Sequence, residues 1–346
     1  MTVAFVLQGG ASLAAVQVGM LRALTEADIR PDLVVGCSAG ALNAVAFAQD
    51  PTLAGLENLQ RLWLRVRRGD VLPLRPLSLT VGIAGLRDSI AAPDRLSLLI
   101  QHGLRISDLR DTAVPAHVVA TDVYTGMPVV LSHGSALTAL LASSSIPGVL
   151  PPVPWEGRSL VDGSQSADIP IKQAESLGAM TSYVLPSLLA VRPQASPVGV
   201  LPILIRTLGT MVGRIAAGEL AAAQRNVHVL PTPEVYRALN PLSFRHTAEL
   251  IQRGYDTTRV WLAKHSTSSR AATSSGGGNA APPAAASLPA AALSAPPPGE
   301  LAKPGDTPRA AQGLNCRPVA DSRRDRLSTP PVAGPGVTFP EGVTDA

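Results

Sequence analysis

The 346-residue sequence predicts an α/β fold with a mostly parallel central sheet. Three observations carry this expectation. Short apolar runs at 3–8 and 33–35 alternate with helical patterns, as in βαβ units buried on both faces. Glycine-bearing turns close these runs, at Gln8-Gly9-Gly10 and at Gly36-Cys37. Hydrophobic residues reach 46%, enough for a large core, while charged residues stop at 16% against roughly 25% in an ordinary soluble domain.

The elements follow in order. Residues 1–21 carry no charge, but Gln8-Gly9-Gly10 divides them into a strand over 3–8 and a helix over 12–27. No basic residue precedes the apolar run, so neither a secretory signal nor an anchor is expected there. Leu13, Val16, Val18, Leu21 and Leu24 give that helix its apolar face. Pro31-Asp32 turns the chain into a second buried strand, 33–35, followed by a helix over 39–49. Helices are expected at 53–67 and 94–101, and a strand pair at 114–120 and 128–131. A small-residue helix fits 135–144, strands fit 179–185 and 226–230, and a helix fits 245–264. The apolar stretch 198–205 is too short to span a bilayer and is broken by Pro202; it reads as core, with a lipid-touching surface as the alternative.

Composition sets the domain plan and excludes several functions. After residue 265 the chain turns to Ser, Gly, Ala and Pro, so 1–265 reads as one folded domain and 266–346 as a low-complexity, disordered tail. Aromatics at 3% argue against a stacking surface for nucleic acid, and the net charge of +4 is small for the length. Lys172, Lys264 and Lys303 are the only lysines among 29 basic residues, an arginine-heavy usage without a basic cluster. Two cysteines, Cys37 and Cys316, exclude a disulfide framework and a thiolate zinc site, and no His-x-x-x-His pair suggests another metal.

Gly36-Cys37-Ser38-Ala39-Gly40 is a G-x-S-x-G sequence between a buried strand and a small-residue helix. Such a turn lifts Ser38 above the carboxyl end of the sheet, at a helix N-terminus, where a base can make it a nucleophile. An ordinary βα turn with a serine N-cap reads the same way. The turn Leu7 to Ser12 directs main-chain amides out of the sheet top toward Ser38, as an oxyanion hole requires. A phosphate turn is disfavoured, since neither G-x-G-x-x-G nor Gly-Lys-Ser/Thr occurs; a plain turn remains open. For the base, His228 or His246 would complete a Ser-Asp-His order, although only one strand precedes the one that leads into Ser38. Asp162-Gly163 follows Ser159-Leu160-Val161 and either aims a carboxylate from a strand end or makes a hairpin turn.

Together these pieces resemble the patatin-like phospholipase family. The matching stretches are 7–19, Gly36 to Ala44, Val119 to Val123 with Gly126, and Ala142 to Val153 with Val161-Asp162-Gly163 and Ile169-Pro170. The resemblance implies a three-layer α/β/α sandwich over about 3–180, matched more loosely over 181–265. It implies a Ser–Asp dyad, with Ser38 as nucleophile, Asp162 as base and the amides of Gly9, Gly10 and Ala11 as oxyanion hole, needing no metal or cofactor. The implied substrate is a phospholipid or other acyl-ester lipid, met in transient contact with a membrane surface by a cytoplasmic, peripheral enzyme that binds no nucleic acid. Ala11, Leu13 and Ala14 stand where the family has its third glycine, a basic residue and a final glycine, Ser164 replaces a small residue after Asp-Gly, and Asp168, where Asn is frequent, reads as a turn residue. A catalytically weak relative that binds lipid or a protein partner is the alternative.

Overall fold

A computed structural model describes residues 1–71, 92–187, 200–233 and 240–274. The first apolar run forms β1 (Val3–Leu7), and the helix expected at 12–27 begins as a 3₁₀ turn, Ala11–Ala15, before α1 (Val16–Glu26). The tightening has a local cause: Gly10 (φ 155°) and Ala11 (φ 49°) redirect the chain before regular helix can start. β2 (Leu33–Cys37) and α2 (Ala39–Gln49) lie where the sequence puts them. They are followed by α3 (Leu53–Arg65), a short α4 (Arg68–Val71) and α5 (Asp94–Gly103). β3 (Ala116–Asp122) starts two residues later than expected, after Pro115, and pairs antiparallel with β4 (Pro128–Leu131).

Ser135 caps α6 (Ala136–Ser144) by accepting the Thr138 amide. β5 (Val153–Trp155) and β6 (Arg158–Asp162) form a hairpin that the sequence did not announce; its turn is Glu156-Gly157, both at positive φ. Asp162-Gly163 is therefore no hairpin turn but the exit from β6 into a 3₁₀ turn, Gly163–Gln165. α6 and that turn lead through α7 (Ile171–Ser176) to β7 (Thr181–Leu185), α8 (Val200–Ala221), β8 (Asn226–Val229) and α9 (Thr247–Ser274). α8 takes up most of the apolar stretch 198–205, and Ile203 in it is exposed. α9 runs nine residues past the boundary expected at 265, with no Gly or Pro to stop it before Gly276. The remainder of the expected tail, 275–346, lies outside the described residues.

Five strands run parallel in the order β3-β2-β1-β7-β8. Side chains alternate between the two faces. Phe5, Leu7, Val34, Val118 and Ala120 face a large core covered by α1, α2, α3, α5, α6 and α9. Ala4, Val6, Val35 and Val119 face a smaller core with Ile171 and Ala174 of α7 and Ala216 of α8. The result is three layers around a mixed sheet.

The register at β3 positions the candidate site. β4 occupies one edge of β3 over Val118 to Thr121. The other edge is shared: β2 holds it as far as Cys37 opposite Val119, and antiparallel β6 takes over with Asp162 opposite Ala120. The carboxyl ends of β2 and β6 thus meet head to head on adjacent rungs.

Candidate active site

Ser38 follows β2 directly and has φ 53° and ψ −126°, a conformation that non-glycine residues rarely adopt. The turn is tight enough that its glycines are obligatory. A Cβ on Gly36 would lie 2.7 Å from the Cα of Ala41, and one on Gly40 would overlap the carbonyls of Leu7 and Gln8. The Ser38 amide donates to Ser143 Oγ at 2.8 Å, and that hydroxyl donates to the Val119 carbonyl at 2.6 Å. The elbow is thereby fastened to both α6 and β3.

Because β2 and β6 abut, Ser38 and Asp162 come together across 124 residues of sequence. Ser38 Oγ donates to Asp162 Oδ2 at 2.7 Å. Asp162 is 2% exposed, and its second oxygen accepts the Ser164 amide at 2.9 Å and the Ser164 hydroxyl at 2.6 Å. Burial raises the Asp162 pKa above the usual carboxylate value, opposed by the Ser164 and Ser38 hydrogen bonds. The buried Cys37 thiol is also pushed up, by burial and by the charges of Asp162 and Asp168, so it stays protonated between them.

Neither histidine considered as a base joins this pair. His228 lies on β8, three strands from β2 and so about 14 Å away. There its ring stacks on Tyr183. His246 sits beside Glu249, with Nδ1 3.4 Å from Oε2.

The glycine turn is held from below. The Gln8 amide donates to Leu185 O at 3.2 Å, and the Gln8 carbonyl accepts Gln17 Nε2 at 2.8 Å. The Gly9 amide donates to Asp168 O at 3.2 Å, and the Gly9 carbonyl accepts the Ser187 hydroxyl. Gly9 is therefore no free donor, contrary to the sequence expectation. Among the described residues no main-chain carbonyl takes the amides of Gly10 or Ala11. Ala11 reaches φ 49° without being glycine, at a conformational cost of about 1 kcal/mol.

Asp168 is a second correction. It is not a surface turn residue: it is 2% exposed and accepts Gln8 Nε2 at 2.7 Å. Burial lifts its pKa to about 7, and the neighbouring Asp162 adds to the rise. Sequence reasoning also missed Gln8, Gln17, Asn43 and Ser143. Asn43 donates to Ala14 O and Gln17 Oε1 and accepts the Trp63 indole N–H at 2.7 Å. A signal was present: Gln17 and Asn43 are each flanked on both sides by small or apolar residues, at 13–16 and 18–21 and at 39–42 and 44–48, a pattern that calls for buried partners.

A cavity of about 100 Å³ opens beside Ser38. Leu42, Leu59, Leu96, Ile100, Leu140 and Phe244 are among the residues that line it, and among the described residues no charged side chain does. Ser144 also borders it, and its buried hydroxyl has no hydrogen-bond partner among the described residues. Among the described residues, no helix is long and apolar enough to cross a membrane.

A family model described as patatin-like phospholipase matches residues 5–175. Patatin-like phospholipase domain-containing protein 6 of Mus musculus is 29% identical over 182 residues, 52% of this chain and 13% of that protein. Patatin-like phospholipase domain-containing protein 7 of Rattus norvegicus is 28% identical over 179 residues, covering 51% and 13%. Neuropathy target esterase sws of Drosophila melanogaster is 27% identical over 180 residues, covering 51% and 12%. The chain thus spans about one-eighth of these relatives. The crystal structure of VipD from Legionella pneumophila aligns with a TM-score of 0.38 and 14% identity over 76% of this chain and 67% of that one. Residues 5–175, just under half of the chain, thus form a segment that matches the patatin-like phospholipase family.

Proposed function

We propose that this protein is a lipid acyl hydrolase that cleaves carboxylic esters through Ser38 and Asp162. The observation that carries the reading is the 2.7 Å hydrogen bond from Ser38 Oγ to Asp162, with Ser38 bordering a cleft that is uncharged and mostly apolar among the described residues. Ser38 attacks the ester carbonyl while its proton passes to Asp162, whose raised pKa makes it a better base than an exposed carboxylate. The carbonyl oxygen, now an alkoxide, meets the amides of Gly10 and Ala11, and the N-terminus of α2 favours negative charge at the same point. Asp162 returns the proton to the leaving alcohol, which departs as the acyl-enzyme forms. Water then attacks the acyl-enzyme, losing a proton to Asp162, and Ser38 regains one as the fatty acid leaves. The acyl chain lies along the cleft, where burial contributes about 0.8 kcal/mol per methylene. The substrate class is an acyl-ester lipid, phospholipids included.

A second reading, a catalytically weak lipid-binding relative, draws support from Ala11 at φ 49° and from Leu13 in place of a cation. One experiment separates the two. Wild-type protein, Ser38→Ala and Asp162→Asn are treated with a fluorophosphonate and assayed on short- and long-chain esters and phospholipids. Labelling at Ser38, with turnover falling about a thousandfold or more in both variants, supports the hydrolase. An unlabelled Ser38 in the wild type leaves only the binding reading.

A further inference from the structure

We propose that Gln8 and Asp168 form a positioning pair that sets the donor geometry of the Gly10–Ala11 amides; this rests on the hydrolase reading above. Gln8 is 1% exposed at the end of β1, and both halves of its side-chain amide are committed. Oε1 accepts the Ser187 amide at 2.9 Å, and Nε2 donates to Asp168 Oδ2 at 2.7 Å. The orientation of the amide is therefore fixed, with its donor on the carboxyl. The other carboxyl oxygen, Oδ1, lies 2.6 Å from where a Cβ on Gly9 would stand, so it fills the space under the turn. The main chain closes the bracket, since the Gly9 amide donates to the Asp168 carbonyl and Gln17 holds the Gln8 carbonyl. With all four main-chain polar groups of Gln8 and Gly9 engaged, the next two amides along the chain, those of Gly10 and Ala11, are the ones that no main-chain carbonyl takes among the described residues.

Neither side chain touches the reacting atoms in this scheme. Their contribution is to hold donors where charge develops, and a displacement of about 1 Å there can cost a hundredfold in rate. Such a role reads out in kcat and leaves KM nearly unchanged, because the apolar cleft that binds the chain is built mainly from α2, α3, α5 and α6, with Ala11 the one residue of the turn that borders it.

The test replaces the donor and keeps the shape. In Gln8→Glu, one oxygen still accepts the Ser187 amide and the other faces Asp168. At pH 5.5 the two acids share a proton and the bond is restored; at pH 8 two carboxylates oppose each other, with the Asp162 carboxyl, itself raised by burial, and the neutral Cys37 thiol as the neighbouring titratable groups. We expect kcat on a p-nitrophenyl ester, and the rate of Ser38 phosphonylation, to match wild type within about threefold at pH 5.5. At pH 8 both fall about tenfold to a hundredfold at unchanged KM. Asp168→Asn, which preserves the acceptor for Gln8, keeps kcat within about threefold at both pH values. Gln8→Met, lacking the donor at any pH, lowers kcat throughout. Should Gln8→Met not fold, the Gln8→Glu profile decides alone. Equal wild-type and Gln8→Glu rates at pH 8, a loss that appears in KM, or a loss in Asp168→Asn as deep as in Gln8→Met, overturns the pair while the hydrolase reading stands. A wild-type Ser38 that takes no phosphonate at either pH removes both.

Discussion

Asp162 and Asp168 are two buried carboxyls, and burial pushes both above the usual carboxylate range. For Asp168 the consequence for stability has a definite sign. Its native pKa, about 7, exceeds the value near 4 expected in the unfolded chain, so the native state keeps the proton longer. The stabilisation is complete below about pH 4 and drains away as pH rises to about 7. Asp168→Asn cannot ionise. Its stability relative to wild type, read from urea unfolding, is expected to rise by on the order of 3 kcal/mol between pH 4 and pH 8. A difference that stays flat across that range would remove the buried, protonated carboxyl from the account. The residue scale was also the hardest to read from sequence. Ser38 and Asp162 were legible because each stands at a strand end, Ser38 midway between Gly36 and Gly40 and Asp162 next to Gly163. Asp168 was not, because an isolated Asp before Ile-Pro resembles any polar turn; its burial depends on Gln8, 160 positions away.

At the scale of elements, the strand–elbow–helix unit β2-Ser38-α2 depends on close backbone approach. The Gly40 position touches the carbonyls of Leu7 and Gln8, which are main chain and cannot swing aside. Gly40→Ala is expected to cost about 1–3 kcal/mol in thermal or urea unfolding and to lower Ser38 labelling with it, because the displaced carbonyls belong to the glycine turn itself. An equally stable Gly40→Ala would mean that the elbow is looser than described. Most elements were legible from sequence because buried strands give unbroken apolar runs and helices give their period. The β5–β6 hairpin was not. Its strands are short, Pro154 interrupts β5, and Glu156-Gly157 lacks the Asn-Gly or Asp-Gly pair that announces a tight turn. Nor did apolar periodicity foretell the 3₁₀ start before α1, since a 3₁₀ turn and an α-helical turn bury similar faces.

On the scale of the whole molecule, the sheet carries the Ser38–Asp162 pair at its strand ends and the helices on its larger face supply the cleft. Leu42 of α2, Leu59 of α3, Ile100 of α5 and Leu140 of α6 converge there from four separate elements. Cleft length is therefore set by helix packing and can be altered without touching Ser38 or Asp162. Leu140→Phe is expected to reduce hydrolysis of long-chain esters relative to short-chain ones by about tenfold, with short-chain kcat retained, in a chain-length series. An unchanged chain-length preference would send the acyl group elsewhere. Neither the three-layer plan nor the family resemblance required the structure; the convergence of four helices on one cleft did, since no local pattern encodes which helix faces meet.

The head-to-head meeting of β2 and β6 on one edge of β3 gives the chain a built-in order of assembly. β2 has its parallel neighbour β1 close in sequence, whereas β3, the strand on which β6 pairs, must arrive from about eighty residues downstream. Chain closure of that length is slow beside local helix formation. A refolding population sampled with a phosphonate should therefore regain helical circular dichroism first and serine reactivity afterwards, so that the reagent works as a stopwatch for the completed sheet.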